Sequence, residues 1–424
     1  MHMEDNRIPA IDNNNSRFTI VSKSGSMSVD LIEVIGRGGS CLAYKAEKKT
    51  AEGMTRAVVV KEYYPQGDSV LHGISYSREA VGGEISLKPV DKMSGEEVQR
   101  RIGEEKERQK ANVAREIELT RQLAYNPEHV ENNPFCFNAE RLGTRGDSTY
   151  ILIDTNKGCT LRRLLKNKGG KIGIQKAIDY TKELLYVAEK MLFEPENSFC
   201  HADIKPENIY LAGMEPEKSD ALNNGVPRIM LLDFGSVFNP QNYQLAIDNE
   251  EEISEEVVME KADEILYNEG IGCSSEGYRS RLIQDVYIKK SDYRVLRKFE
   301  YAKRLVDSIN KIDNSVDIFS IVQCFFEMAI GALYPVDKKP RKKTFEKEYG
   351  VDPAVANQMI KIGENNRLGY KTTAEINADL DELSAILNRD AIPQVLLAGV
   401  NSKFKGEYEN SKIDEGLFGN ISFE

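Results

Sequence analysis

The 424-residue chain contains no uninterrupted apolar run of the roughly 18 residues that a membrane-spanning helix needs. Residues 1–16 have no apolar centre and do not read as a secretory signal. Six cysteines are present (Cys41, Cys136, Cys159, Cys200, Cys273 and Cys324), and none forms a CxxC pair. Neither a zinc cage nor a disulfide framework is therefore expected, and a reduced, cytoplasmic setting fits. Positive charge is also short: 57 Lys and Arg face 68 Asp and Glu, a net charge of −11. A field of that sign disfavours broad contact with nucleic acid or anionic lipid, so no nucleic-acid partner is expected. There are no internal repeats. What is there is ordinary: 40% hydrophobic and 29% charged residues, the usage of a globular chain with about two to four structural units.

Strand signals come first. Phe18–Val21, Leu31 to Ile35 and Ala57 to Lys61 show alternation, β-branched residues and glycine punctuation, as expected of antiparallel sheet. Glu62 to about Lys92 reads as loop. Ser94-Gly-Glu-Glu97 has the form of a capping box and opens a long helix to about Ala124. Two further strands follow, the second ending in Tyr150-Ile-Leu-Ile153. After residue 160 the pattern turns helical. Ile174, Ile178, Thr181, Leu185, Ala188 and Leu192 predict one buried-face helix, and Ile321, Val322, Phe325, Phe326 and Ala329 a central one. Thr372-Thr-Ala-Glu375 caps a last helix with Ile376, Leu380, Leu383 and Leu387 inward. Residues 248–264 are acid-rich, with Ile253, Val257 and Ile265 at helical intervals, a pattern also met on solvated helices. Strands before helices imply an α+β protein with a sheet-rich small lobe and a helical large lobe.

Four segments fit one chemistry, phosphoryl transfer from a nucleotide. Ile35-Gly-Arg-Gly-Gly-Ser-Cys-Leu-Ala-Tyr-Lys45 places glycines between two strands, where bare backbone approaches phosphates; a plain hairpin reads the same way. Lys61 closes the apolar run Val58-Val-Val, either to meet phosphate oxygens or as a strand-end lysine that snorkels to water. Its acid partner would come from the long helix. Glu116 is the candidate, and Glu118, about 200° around the helix, is the rival. Phe199-Cys-His-Ala-Asp-Ile-Lys-Pro-Glu-Asn208 carries Asp203 as a proton acceptor, Lys205 beside it and Asn208 as a metal ligand. His201 reads as a structural brace. Ile229-Met-Leu-Leu-Asp-Phe-Gly235 delivers Asp233, a hard oxygen ligand suited to Mg²⁺.

These segments resemble, in order, the motifs of the eukaryotic-type (Hanks-type) Ser/Thr protein kinases, and the chain looks like a divergent bacterial member over residues 18–390. The resemblance implies a bilobal fold: a leader at 1–16, a small lobe at 17–154 with an insert at about 62–112, a large lobe at 155–390 with an activation-segment insert at about 240–275, and a tail at 391–424. It implies Mg²⁺-dependent ATP use, with Mn²⁺ as an alternative ion, and a Ser/Thr hydroxyl of a protein as acceptor. Ile35, Gly36, Gly38, Gly39 and Ser40 would cover the phosphates. Ala43, Val59, Ile153, Asp154, Asn156 and Tyr210 would surround the adenine. Lys61 with Glu116 would hold the α- and β-phosphates, Lys205 would meet the γ-phosphate, Asp203 would be the base, and Asn208 and Asp233 would hold the metal. Asp317 would anchor the catalytic-loop backbone.

Several positions depart from that pattern. Cys41 replaces the third loop glycine, and Ala43 and Val59 exchange the usual Val and Ala. Ala202 replaces the arginine that meets a phosphorylated activation loop, so phosphorylation there is not the expected switch. Lys61-Glu-Tyr-Tyr-Pro65 resembles a run in divergent bacterial members. Gly277-Tyr-Arg-Ser-Arg-Leu282 lacks the family's closing Glu, which unsettles peptide docking more than phosphoryl transfer. Two alternatives follow: an ATP-binding scaffold without turnover, and a kinase-fold enzyme with a small-molecule acceptor. Lys338-Lys-Pro-Arg-Lys-Lys343 reads as a solvated basic loop.

Overall fold

The computed structural model describes residues 18–21, 27–37, 41–50, 53–63, 68–69, 74–81, 84–89, 95–124, 136–137, 139–145, 148–153, 155, 157–193, 198–215, 217, 225–245, 254–268, 270–272 and 274–389. The expected leader, the tail, Gly38, Gly39, Ser40, Asp154 and Asn156 lie outside these residues.

The architecture is α+β. Strands β1 (Phe18–Val21), β2 (Met27–Arg37), β3 (Cys41–Thr50) and β4 (Thr55–Tyr63) come first. Next are β5 (Asp68–Ser69), β6 (Ile74–Val81), β7 (Glu84–Pro89), helix α1 (Gly95–Ala124), β8 (Ala139–Arg145) and β9 (Ser148–Ile153). The main sheet is antiparallel in the order β1-β2-β3-β4-β9-β8. The segment expected as loop after Glu62 instead holds a second small sheet, β5-β6-β7. Its short alternating runs, such as Ile74-Ser-Tyr-Ser, lack the long apolar pattern that marks a buried strand.

Alternation along β4 gives it two different faces. Val58, Val60 and Glu62 point to one side, where Leu31, Leu42, Tyr44, Tyr150 and Leu152 are also buried. The Glu62 carboxylate there accepts Tyr44 Oη at 2.5 Å and Ser148 Oγ at 2.8 Å, so a fully buried acid has its oxygens satisfied. Lys61 and Tyr63 point to the other side, toward Val113 and Ile117 of α1. The sheet therefore presents Lys61 directly to the helix that carries Glu116.

A three-stranded sheet, β10 (Gly158–Thr160), β11 (Ile209–Ala212) and β12 (Arg228–Leu231), lies within the helical part. The helices of this part are α2 (Leu161–Asn167), α3 (Ile174–Ala188), α4 (Glu255–Tyr267), α5 (Arg281–Leu296), α6 (Phe299–Ile309) and α7 (Ser315–Ile330); α2 and α3 pack on the small sheet. Helix α3 matches its predicted register and runs on into a π-turn, Glu189–Phe193. Helix α7 is apolar around most of its circumference and almost wholly buried, as such a helix must be; Gly331, at φ 78°, ends it in the left-handed conformation. Helix α4 buries Val258, Ala262 and Ile265, whereas Val257, placed inward by the sequence pattern, is exposed. Val257 and Val258 are 100° apart on the helix, and adjacent valines leave that phase open. The acidic insert is thus not a free solvated helix: its apolar side joins a core with Ile283, Val286, Tyr293, Leu305 and Val306.

The described residues fall into two compact units. One runs to Tyr334 and includes Asn366–Thr373; the other is Pro335–Asn365 with the chain from Ala374. The second unit contains α8 (Lys342–Tyr349), most of α9 (Pro353–Leu368) and α10 (Thr373–Arg389). Ile376, Leu380 and Leu383 are buried there, as predicted, while Leu387, predicted inward with them, is half-buried; Gln358 Nε2 donates to Asp379 O at 3.0 Å. The basic run from Lys338 to Lys343 is exposed apart from half-buried Pro340. Among the described residues no helix is long and apolar enough to cross a membrane.

Candidate functional site

Lys61 Nζ lies 3.0 Å from Glu116 Oε1 and 2.8 Å from Asp233 Oδ1. The three groups come from a strand, a helix and a turn, separated from Lys61 by 55 and 172 residues. Glu116 is buried and Glu118 exposed, which resolves the rivalry between them. Burial works against the Lys61 charge, but the Asp233 and Glu116 carboxylates outweigh it and hold its pKa well above the usual lysine value. Asp233 titrates below the usual aspartate value: burial opposes its charge, and the adjacent Lys61 ammonium overcomes that. Tyr63 Oη donates to Glu116 Oε2 at 2.6 Å. Burial, then the Glu116 charge, raises the Tyr63 pKa, so the hydroxyl stays protonated as a donor.

Antiparallel pairing fixes what surrounds Lys61. Ala43 stands opposite Lys61, Val59 opposite Ile153, and Lys61 opposite Ile151. Directly paired residues share a face, so Ala43, Val59 and Ile153 lie on the Lys61 side, each half-buried. Gly36 pairs with Ala43, and a Cβ on it would sit 3.4 Å from the Ala43 methyl. Ile35 beside it is 52% exposed, an apolar side chain left in solvent. Tyr210 packs its ring edge on Phe137 at 4.9 Å, and burial raises its hydroxyl pKa to about 12. Gly158 approaches that ring so closely that a Cβ would stand 2.6 Å from it.

The second cluster is local. Asp203 Oδ2 accepts Lys205 Nζ at 2.6 Å and Asn208 Nδ2 at 3.2 Å. Asn208 Nδ2 also donates to Asp203 O at 2.9 Å, which closes the loop on itself. Pro206–Asn208 form a 3-10 turn, and the proline at its start supplies the fixed backbone angle. Asp203 Oδ1 accepts the backbone N–H of Ser275 at 2.8 Å, and Ser275 Oγ accepts Lys205 Nζ at 2.6 Å. Among the described residues Oδ1 has one donor, which leaves it a second lone pair.

Below the loop, Asp317 accepts the backbone N–H groups of His201 and Ala202, at 2.7 and 2.8 Å. Ala202 has φ 61°, an unfavourable left-handed conformation for a residue with a Cβ. Burial raises the Asp317 pKa, partly offset by the neighbouring His201 and these two donors. His201 places Nε2 3.1 Å from Leu232 O and accepts the Asp203 N–H at Nδ1, so both ring nitrogens are spent on backbone. Leu232 N–H donates to Asn208 O at 2.9 Å. The Asp203 loop and the Asp233 turn are thus tied side by side. Asp233, at φ 65°, also takes the left-handed conformation, which turns its carboxylate toward Lys61.

Three contributors escaped the sequence reading. Ser275 lies 72 residues beyond Asp203 in a stretch with no periodicity, and Tyr63 stood in a run noted only for its resemblance. The third is a knot near the loop. Arg162 donates to Glu207 at 2.6 Å, to Tyr278 Oη at 3.2 Å and to Glu327, and Tyr278 also donates to Glu327. Glu207 and Glu327 together drive the Arg162 pKa upward against its burial.

No family model matches the chain, and no curated protein matches it. Solved structures do. One titled "PpkA-294 apo form", a bacterial Ser/Thr kinase, overlaps with a TM-score of 0.46 at 15% identity, covering 90% of this chain and 100% of that one. At that overlap the likeness decides nothing about activity.

Proposed function

We propose that the protein is a cytoplasmic Ser/Thr protein kinase of bilobal build, transferring the γ-phosphate of Mg²⁺-ATP to a protein hydroxyl. One observation carries this reading. Lys61, Glu116 and Asp233, far apart in sequence, meet within 3.0 Å in the one site toward which their motifs point. Lys61, held by Glu116, would bind the α- and β-phosphates. Half-buried Ala43, Val59 and Ile153 on the same sheet face offer apolar contact to a purine. Asp203 is oriented by Lys205, Asn208 and Ser275, and the second lone pair of Oδ1 can accept the proton of an attacking hydroxyl. Lys205, bonded to Asp203 and Ser275, would neutralise charge on the transferring group.

Among the described residues no three His, Cys, Asp or Glu side chains cluster as a metal cage. Hard oxygen donors such as those of Asp233 and Asn208 suit an ion held by one or two protein oxygens and completed by phosphates, as Mg²⁺ would be. Asp233 Oδ1 is one such donor. Asn208 would be the other, through its carbonyl oxygen, since its NH₂ donates to Asp203. When bound, Mg²⁺, or Mn²⁺ in its place, would neutralise charge shared between the β- and γ-phosphates.

Intact-mass spectrometry after incubation with Mg²⁺-ATP and a Ser/Thr-rich acceptor tests the proposal. Phosphate gained with the wild type and not with Asp203→Asn supports it. No phosphate on either protein would remove it, and small-molecule acceptors would be tried next.

A further inference from the structure

We infer that Tyr63 is a positioning residue whose hydroxyl secures Glu116 as the counterweight to Asp233 in their contest for the Lys61 ammonium. The inference rests on the kinase reading above, since it assigns Asp233 to a cation.

Lys61 donates hydrogen bonds to two carboxylates at once, at 3.0 and 2.8 Å. The two are not equally held. Asp233 is 40% exposed at its side chain and must turn part of its charge to a metal; Glu116 is 9% exposed and has no such second task. One Glu116 oxygen accepts Lys61 and the other accepts Tyr63 Oη at 2.6 Å. The carboxylate is therefore pinned at both ends, with its Lys61-facing oxygen fixed in place. The pin itself is rigid. Tyr63 is two residues from Lys61 on the same strand and so on the same face, with its ring 5.8 Å from the ammonium. Val113, Ile117 and Cys41 pack with Tyr63, leaving it 6% exposed. A ring held by two torsions loses little entropy in presenting one hydroxyl.

Without that hydroxyl, Glu116 Oε2 would be buried with a hydrogen bond lost, and the carboxylate would rotate to recover one. Lys61 would then settle on Asp233, and the cation would have to draw Asp233 from a stronger competitor. The phosphate-binding lysine and the metal ligand are in this way balanced by a tyrosine that touches neither phosphate nor metal.

Tyr63→Phe keeps the ring and removes only the hydroxyl. Two measurements decide the matter. The first is a double-mutant cycle of Tyr63→Phe with Glu116→Gln in denaturant unfolding, without nucleotide. Coupling of about fivefold to tenfold in the unfolding constant is expected. Additive effects would overturn the contact's role. The second is the Mg²⁺ concentration giving half-maximal binding of a fluorescent, non-hydrolysable ATP analogue. It should rise about fivefold or more in Tyr63→Phe and not rise further when Tyr63→Phe is added to Glu116→Gln. A merely structural role would lower the binding-competent fraction and leave that midpoint in place, which would overturn the inference. If the wild type binds no nucleotide at any Mg²⁺ concentration, the kinase reading falls and the balance toward Asp233 falls with it, even where the unfolding cycle shows coupling.

Discussion

Asp317 accepts the backbone N–H groups of both His201 and Ala202, one on each carboxylate oxygen, at 2.7 and 2.8 Å. That grip sits under Ala202, whose φ of 61° is unfavourable for an L-residue by about 1–2 kcal/mol. A buried acid thus offsets backbone strain and aims Asp203 outward. Asp317→Asn keeps the shape but sets an NH₂ group against an N–H donor. It is expected to destabilise the protein by about 1–3 kcal/mol, read from the urea midpoint, and to lower turnover.

Lys61 and Asp233 set a pH window. Asp233 has a folded pKa below its ordinary value of 3.8, so its contribution to stability is complete above that pH and is lost as pH falls through the lower folded value. Lys61 has a folded pKa above 10.5, so its contribution is complete below that pH and is lost only as pH rises through the higher value. The stability difference between wild type and Asp233→Asn should be flat from about pH 5 to 9 and should shrink below pH 3.8. Denaturant unfolding across pH measures it. A difference that moves near neutrality would contradict the charge assignment.

Ser275 joins Asp203 to Lys205, taking Lys205 Nζ on its hydroxyl while its N–H serves Asp203. Ser275→Ala keeps the backbone bond and loses the hydroxyl. Phosphoryl transfer should fall about tenfold, with stability changed by about 1 kcal/mol or less. Ser275→Asp adds a negative charge beside Asp203 and should reduce transfer far more.

Gly270 lies so close to Gly235 that a Cβ would stand 2.4 Å from the Gly235 carbonyl oxygen and 3.0 Å from Arg115 Nη2. Because the obstacle is backbone, Gly270→Ala cannot be absorbed by a side-chain rotation. It should cost about 1–3 kcal/mol in thermal unfolding and move the Asp233 turn. An unchanged melting temperature would mean that this approach is not tight.

Ala202 is 2% exposed and packs in the core that holds α4 and α5. The segment after Asp233 is tied down by Lys290, which donates to the carbonyls of Asn268 and Ile271 at 2.6 and 2.8 Å. A buried ammonium stands there inside the protein, with no arginine beside Asp203 to meet an added phosphate. Phosphatase treatment should leave turnover within about twofold of untreated protein, and Lys290→Met should lower it at least tenfold.

Residues 201–208 and 229–235 were legible in the sequence because each position is chemically constrained and the spacing is local. A 3-10 turn and a short strand set the local spacing of Lys205, Asn208 and Asp233, while Asp317 and Ser275 complete the placement of Asp203 from farther along the chain. The inward faces of α3 and α7 were legible for a similar reason, since a regular apolar repeat leaves one phase that buries it. Where the pattern was ambiguous, packing chose. Val258 rather than Val257 turned inward on α4 because a core awaited one face only. Glu116 rather than Glu118 met Lys61 because α1 lies on the Lys61 face of β4. Ser275 on Asp203 and Tyr63 on Glu116 are contacts across 72 and 53 residues of chain. No local propensity encodes such pairs, because their energy exists only once the sheet, helix and loops have brought the groups within hydrogen-bonding distance.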